Sequence, residues 1–197
     1  MKNFVFNKLP LEGAYIIEPF FSEDERGGFI KDYSKELFEK NGIIHNLSEV
    51  FYTISKKGVI RAIHFQTNVE QPKLVRCLMG VVYDVIVDLR RESPTFKKWL
   101  GFYLSGENRK ELLVPAGFGH GYLVIEDAIV SYKCSEKFYP QFDSGIIWND
   151  ETLNILWPLE QVDSKIILSE KDANLPTFIK IFSFNDSTYG ISKNDKQ

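Results

Sequence analysis

The chain is patterned as a succession of short apolar runs. From residue 49 onward, runs rich in β-branched and aromatic residues follow one another closely, separated by Gly, Pro, Asn or charged residues. Short strands at this spacing are typical of an all-β sandwich or barrel, not of alternating strand–helix–strand units. The predicted strands cover residues 49–55, 59–66, 73–79, 81–89, 97–104, 111–114, 119–125 and 128–133.

The segments between the runs predict how the strands are connected. Gly80 predicts a tight turn between two of them. Residues 81–88 are apolar on both faces, which indicates a central strand of a sandwich. Short helices are predicted at residues 34–42, which begin with a cap-like Ser and end with Gly, and near residues 169–172.

The length and composition limit the choice of protein class. The chain has 197 residues, of which 44% are hydrophobic, enough for one core. We expect one domain over residues 1–182 and a polar tail over 183–197. The net charge of −3 provides no basic field for nucleic acid. There is no apolar run of 18 residues, no signal-peptide pattern, and only two cysteines. These features predict a soluble cytoplasmic protein with no nucleic-acid or membrane partner.

Two of the three histidines lie in regions where polar residues interrupt a predicted strand. His64 is followed by Gln66, and strand alternation places both on one face, with Arg61 on the other. A histidine and a glutamine on a face that should be apolar indicate a polar-lined cavity. His45, in a polar loop, is interpreted as structural.

The third histidine belongs to half of a known metal-binding pattern. Pro115-x-Gly117-x-x-His120 matches the second half of the cupin metal signature, and its glycines let a ligand approach the backbone. The first half requires His-x-His followed by Glu, where this chain has His64-Phe65-Gln66. Because a catalytic metal normally has at least three protein ligands, we predict a cupin-type cavity that works without metal or cofactor.

Such a cavity can carry out proton-transfer chemistry. His64 can act as a general base near neutral pH, and Tyr132 can return a proton from the opposite side. Lys73 can stabilise an enolate oxygen. Taken alone, Tyr132 is better explained as a packing aromatic and Lys73 as a solvated lysine at a strand edge.

At these positions the chain resembles the dTDP-4-dehydrorhamnose 3,5-epimerase family, from about Ile16 to about Pro176. The matching motifs occur at residues 24–27, 58–66, 73–77, 87–96, 114–121, 132–133, 148–150, 157–158 and 168–172.

The resemblance implies a fold, a reaction and a set of site residues. The fold is a double-stranded β-helix, the cupin jelly roll, with a few short helices, assembled as a homodimer. The substrate is a nucleotide-diphosphate 4-keto-6-deoxyhexose, which is inverted at C3, at C5 or at both. The implied catalytic residues are His64 as the base, held by Asp172, Tyr132 as the acid, and Lys73, which stabilises the enolate. The residues implied in substrate binding are Arg26, Arg61, His120, Phe29, Gln66 and Glu49. Arg26 would reach the pyrophosphate, in one arrangement from the other chain of the dimer.

The chain departs from the family pattern where the nucleoside is held. A Gln-Asp-Asn stretch of the thymidine-specific members is replaced by Glu49-Val50-Phe51, and Lys31, Ala62 and Phe65 also differ. We therefore hypothesise a cytidine or guanosine carrier, or a different sugar.

Three alternatives remain at this point. A cupin ketoisomerase would use a similar cavity, but the ketoisomerases that this chain resembles lack a region equivalent to residues 148–172. A non-catalytic cupin that binds a nucleotide sugar would not need His64, Tyr132 and Asp172. A metal-dependent dioxygenase would bind stoichiometric metal through His64 and His120.

Overall fold

The computed structural model describes residues 3–163 and 165–183. Eleven strands account for most of the ordered elements in this part of the chain. They are β1 (Val5–Lys8), β2 (Tyr15–Glu18), β3 (Phe20–Asp24), β4 (Gly27–Lys31), β5 (Glu49–Ser55), β6 (Ile60–Gln66), β7 (Lys73–Asp88), β8 (Trp99–Ser105), β9 (Glu111–Val114), β10 (Phe118–Cys134) and β11 (Asp143–Gly145). The helices are α1 (Lys35–Lys40), α2 (Glu170–Ala173) and α3 (Phe178–Ser183), with 3-10 turns at Pro140–Phe142 and Leu159–Val162.

Two long antiparallel strands, β7 and β10, organise the sandwich. The first half of β7 pairs with β9 and with the second half of β10, which also pairs with β5. The second half of β7 pairs with β8 and with the first half of β10, which also pairs with β6. Because both strands bend midway, they contribute to two facing sheets. We call the sheet that contains β5 and β9 sheet I, and the sheet that contains β6 and β8 sheet II.

The bend corrects one prediction made from the sequence. Gly80 does not form a tight turn between two strands but lies inside β7, with a φ of +75°. A Cβ atom there would lie 2.1 Å from the carbonyl oxygen of Asp127 on β10, so only glycine fits. The predicted strands 73–79 and 81–89 are therefore one strand, and so are 119–125 and 128–133.

The core is divided into three layers by the alternation of side chains. The inner faces of sheets I and II pack against each other through residues such as Val75, Ile86 and Val130. The outer face of sheet II is covered by the segment from Ile146 to Phe178. The outer face of sheet I is covered in part by α1, through Phe38. This arrangement is the jelly roll that was expected, and residues 81–88 form a central strand in which all but Val81 and Tyr83 are fully buried.

The two helices predicted from the sequence are confirmed. Ser34 and Gly42 flank α1, and Ser169 caps α2, where its hydroxyl accepts the backbone N–H of Asp172. The four N-terminal strands were missed, and β3 and β4 form a separate two-stranded hairpin. Ser183 ends α3, while residues 184–197 of the predicted tail lie outside the described residues. No described helix is long and apolar enough to span a membrane.

Candidate active site

A cavity of about 350 Å³ lies between the two sheets, near the open end of the sandwich. Its walls come from the inner faces of β5 and β10 on one side and of β6 and β11 on the other. The lining residues are Phe51, Thr53, Arg61, His64, Phe65, Gln66, Gln71, Lys73, His120, Tyr132, Phe138, Asp143, Ser169, Lys171 and Asp172. All four residues with a predicted catalytic role therefore line one cavity.

An irregularity in β6 shapes this cavity and corrects the predicted alternation. His64 pairs with His120, but Arg61 pairs with Tyr122, so three residue steps on β6 face two on β10. This bulge places Arg61 on the same wall as His64, although strict alternation would put it on the opposite face. Gly121 faces the bulge, where a Cβ atom would lie 2.6 Å from the carbonyl oxygen of Arg61.

The candidate base is fixed by a short chain of hydrogen bonds. His64 Nε2 lies 2.6 Å from Asp172 Oδ1, and Asp172 Oδ2 accepts the hydroxyl proton of Ser169 at 2.7 Å. Burial raises the pKa of Asp172, but the hydrogen bonds from His64 and Ser169 outweigh it, and the pKa lies below its ordinary value. The carboxylate thus stays charged, holds the proton of His64 on Nε2, and leaves Nδ1 available as a base.

The candidate acid lies on the facing sheet. Tyr132, in the second half of β10, is only 7% exposed. Its pKa is raised well above 10.0, first by burial and then by Tyr122 and Asp84, while Arg61 opposes the shift. Tyr132 therefore keeps its phenolic proton at neutral pH, as a proton donor must.

A second histidine–aspartate pair supports the floor of the cavity. His120 Nε2 lies 2.8 Å from Asp84 Oδ1, and both side chains are almost completely buried. Burial raises the pKa of Asp84 and the neighbouring His120 lowers it, with burial the larger effect. The pair holds the His120 ring, which meets the ring of Tyr132 edge to face at 5.8 Å.

Cationic side chains also reach the cavity. Lys73 donates to the carbonyl oxygen of Gln71 at 3.1 Å, and burial lowers its pKa against the smaller opposing effects of Cys134 and Asp143. Lys171 is paired with Asp143. Arg61 donates to the hydroxyl of Ser55 at 3.2 Å. These groups provide positive charge where an enolate oxygen or a diphosphate could be bound.

Gln66 and Glu49, which were predicted to bind substrate, and His45, which was predicted to be structural, form hydrogen bonds with the protein backbone. The amide of Gln66 donates to the carbonyl oxygens of Val69 and Lys137 and accepts from the backbone N–H of Tyr139. Glu49 accepts from the N–H of Phe138 at 3.1 Å. Both side chains thus hold the loop that carries Phe138 to the cavity. His45 is buried and bonded to the carbonyl oxygen of Lys133, which agrees with a structural role.

The chain is similar to proteins of known function. Residues 8–180 match the family model described as dTDP-4-dehydrorhamnose 3,5-epimerase. The chain belongs to this family. A family member of that name from Methanothermobacter thermautotrophicus is 46% identical over 88% of this chain and 94% of its own length.

Solved structures agree with this family assignment. The dTDP-6-deoxy-D-glucose-3,5-epimerase of Legionella pneumophila, in complex with dTDP-4-keto-L-rhamnose, superposes with a TM-score of 0.84 at 36% identity, covering 89% of this chain and 93% of its own. ChmJ, a 3'-monoepimerase from Streptomyces bikiniensis in complex with dTDP-quinovose, gives a TM-score of 0.80 at 32% identity, covering 87% and 86%. The chain is thus similar both to a 3,5-epimerase and to a monoepimerase.

Three residues predicted for substrate binding lie outside the cavity, namely Arg26, Phe29 and Glu49. Arg26 and Phe29 are on the β3–β4 hairpin, where Arg26 pairs with Asp24 at 2.6 Å and Phe29 is 59% exposed. Neither lines the cavity of the same protomer. Their role in substrate binding therefore stays a prediction.

Several residues that line the cavity or support its walls were not found from the sequence. Ser169 was noted only as the start of a helix, although its hydroxyl binds the carboxylate of Asp172. Asp84 carries a signal that was overlooked, because a charged residue inside an apolar strand needs a buried partner. Phe51 was noted only as a departure from the family pattern, and Phe138 gave no signal, since exposed aromatics are common on loops. No group of three or more potential ligands is arranged to hold a metal ion among the residues with defined positions.

Proposed function

We propose that this chain inverts a dTDP-linked 4-keto-6-deoxyhexose at carbons next to the ketone, through an enolate. One observation carries the proposal. His64 lies on β6 in sheet II and is held by Asp172 of α2, whereas Tyr132 lies on the β5 side of β10 in sheet I. A sugar ring between the two sheets has a base on one face and an acid on the other.

The proposed reaction needs two proton transfers at each inverted carbon. The ketone at C4 acidifies the C–H bonds at C3 and C5. His64 Nδ1 takes the proton, the C–H electron pair forms the enolate double bond, and the carbonyl π electrons move to the oxygen. Lys73 stabilises that oxygen by charge and hydrogen bonding. Tyr132 then donates its proton to the opposite face, and both side chains return to their starting states by exchange with solvent.

The proposed carrier is dTDP. The expectation of cytidine or guanosine rested on residues 49–51 and on Lys31, Ala62 and Phe65, whereas the relatives described above carry dTDP in their names. Glu49 also accepts the backbone N–H of Phe138 and does not line the cavity, so this substitution gives no support for another base.

We also propose that two chains assemble as a homodimer. β5 pairs only with β10 among the described strands, so its other edge is open. Its outward side chains Val50, Tyr52 and Ile54 are 60%, 65% and 73% exposed. An apolar strip of this kind on an open strand suits a partner chain. In a dimer, the β3–β4 hairpin could bring Arg26 and Phe29 to the partner's cavity.

A cytoplasmic location remains part of the proposal. Both cysteines are buried and unpaired, as is usual for proteins of a reducing compartment.

The proposed function is tested by solvent exchange. The purified protein is incubated in heavy water with 4-keto-6-deoxy sugars on dTDP, CDP and GDP, and deuterium at C3 and C5 is followed by NMR. Exchange at one or both carbons with the dTDP sugar supports the proposal and defines the epimerase type. Tight binding with no exchange at either carbon would instead support a non-catalytic sugar-binding protein.

A further inference from the structure

The side chain of Phe51 lies directly against the candidate acid. Phe51 on β5 and Tyr132 on β10 are register partners. Their rings stack with centroids 4.8 Å apart and planes inclined by 13°. Phe51 is 39% exposed and Tyr132 only 7%, so the Phe51 ring covers one face of the tyrosine at the cavity wall.

The rest of the tyrosine ring is also held by neighbours. The edge of Tyr132 meets the His120 ring, and His120 is itself fixed by Asp84. Tyr122 lies next to Tyr132, and its hydroxyl is 2.8 Å from the hydroxyl of Thr53. Thr53 is two positions from Phe51 on the same face of β5. β5 therefore contacts the acid directly through Phe51 and holds its neighbour Tyr122 through Thr53.

We propose that Phe51 is a positioning residue that fixes the ring plane of Tyr132, and thereby sets how often each enolate is reprotonated with inversion. This inference rests on the proposed function, because it assumes that Tyr132 is the acid. Phe51 itself has no group that can transfer a proton. It acts by restricting rotation of the tyrosine side chain, so that the phenolic proton points at the sugar carbon.

The two possible fates of the enolate make this role measurable. Once His64 has removed a proton, the enolate can be reprotonated from the His64 side, giving exchange with retained configuration. It can also be reprotonated by Tyr132, giving exchange with inversion. A misplaced Tyr132 lowers the second rate and leaves proton abstraction unchanged. A general loss of folding or of substrate binding lowers both rates together.

The test compares four Phe51 variants in heavy water with the dTDP-linked 4-keto sugar. Phe51→Ala and Phe51→Leu remove the aromatic ring, whereas Phe51→Tyr and Phe51→Trp retain one. From the usual strength of aromatic pairs, we expect the inverted fraction of exchange events to fall by about three- to tenfold in the first two. The ring-containing variants should keep it within about twofold of the wild type. An unchanged inverted fraction in Phe51→Ala, or equal losses of inversion and total exchange, would overturn the proposal.

A second measurement is independent of turnover. With tyrosine labelled with ¹³C at the ring Cζ, the Tyr132 signal is assigned by its loss in Tyr132→Phe. In Phe51→Ala the signal should titrate at lower pH than in the wild type, because the ring gains contact with water. An identical titration would contradict a positioning role even if no substrate exchanged. An absence of exchange in the wild type would instead refute the proposed function alone.

Discussion

Replacing Asp172 by Asn removes one charge from the candidate site and almost nothing else. The Asn oxygen can still accept from His64 Nε2, and its amide can still donate to the Ser169 hydroxyl, which lies 2.7 Å from the carboxylate in the wild type. His64 becomes a positively charged imidazolium when it takes the proton from the sugar. The variant loses the attraction between this imidazolium and the carboxylate of Asp172. Charge centres about 4 Å apart interact by ~4 kcal/mol at an effective dielectric constant of 20.

That energy corresponds to a large change in rate. Because each 1.36 kcal/mol is about a factor of ten, we expect exchange at C3 and C5 to slow by about 10²–10³-fold. The assay is deuterium uptake by NMR at saturating dTDP-linked sugar. Asp163→Asn is the matched control, since the Asp163 side chain is 87% exposed and pairs with Lys57 at the surface. A rate for Asp172→Asn within threefold of the wild type would refute the role of this pair.

Three further predictions follow from the geometry. Tyr132→Phe should lower inversion by about 10²–10⁴-fold while exchange with retention persists, as measured by NMR. Gly121→Ala should lower the free energy of unfolding by roughly 1–3 kcal/mol and the melting temperature by several degrees, because the added Cβ would lie 2.6–2.7 Å from backbone atoms of β6. An unchanged melting curve would show that the β6 bulge does not require glycine at this position. Burial raises the pKa of Glu111 to about 8, so the folded chain holds a proton that the unfolded chain loses above its ordinary value of 4.5. Stability should therefore fall as the pH rises from about 4.5 to about 8, by on the order of a few kcal/mol, and Glu111→Gln should remove this part of the slope in urea unfolding.

The sandwich could be predicted from the sequence because apolar and polar residues alternate along some of its strands, while others are apolar throughout. The bends in β7 and β10 could not be predicted, because a glycine such as Gly80 is equally compatible with a reversal of the chain and with a strand that passes from one sheet to the other. The N-terminal strands were missed for a different reason. The β3–β4 hairpin packs little of its surface, so its residues lack the apolar alternation that marks a half-buried strand.

The site was predictable as far as residue chemistry identifies it. His64, Tyr132, Lys73 and Asp172 are brought to one cavity from four separate elements. The face of Arg61 was predicted wrongly, because a bulge depends on the partner strand and is not visible in the strand's own sequence. The contact between Phe51 and Tyr132 depends on register across 81 residues of chain and likewise needs the structure.

In the proposed reaction, one face of the sugar meets a base and the other face meets an acid. This reaction is tested by the configuration of each deuterated carbon after the wild-type chain has acted in heavy water on the dTDP-linked 4-keto-6-deoxy sugar. We expect deuterium to enter at C3, at C5 or at both, and inverted product to carry it at each inverted carbon. Inverted product without solvent deuterium, or no exchange from folded protein with any carrier, would contradict the proposed reaction.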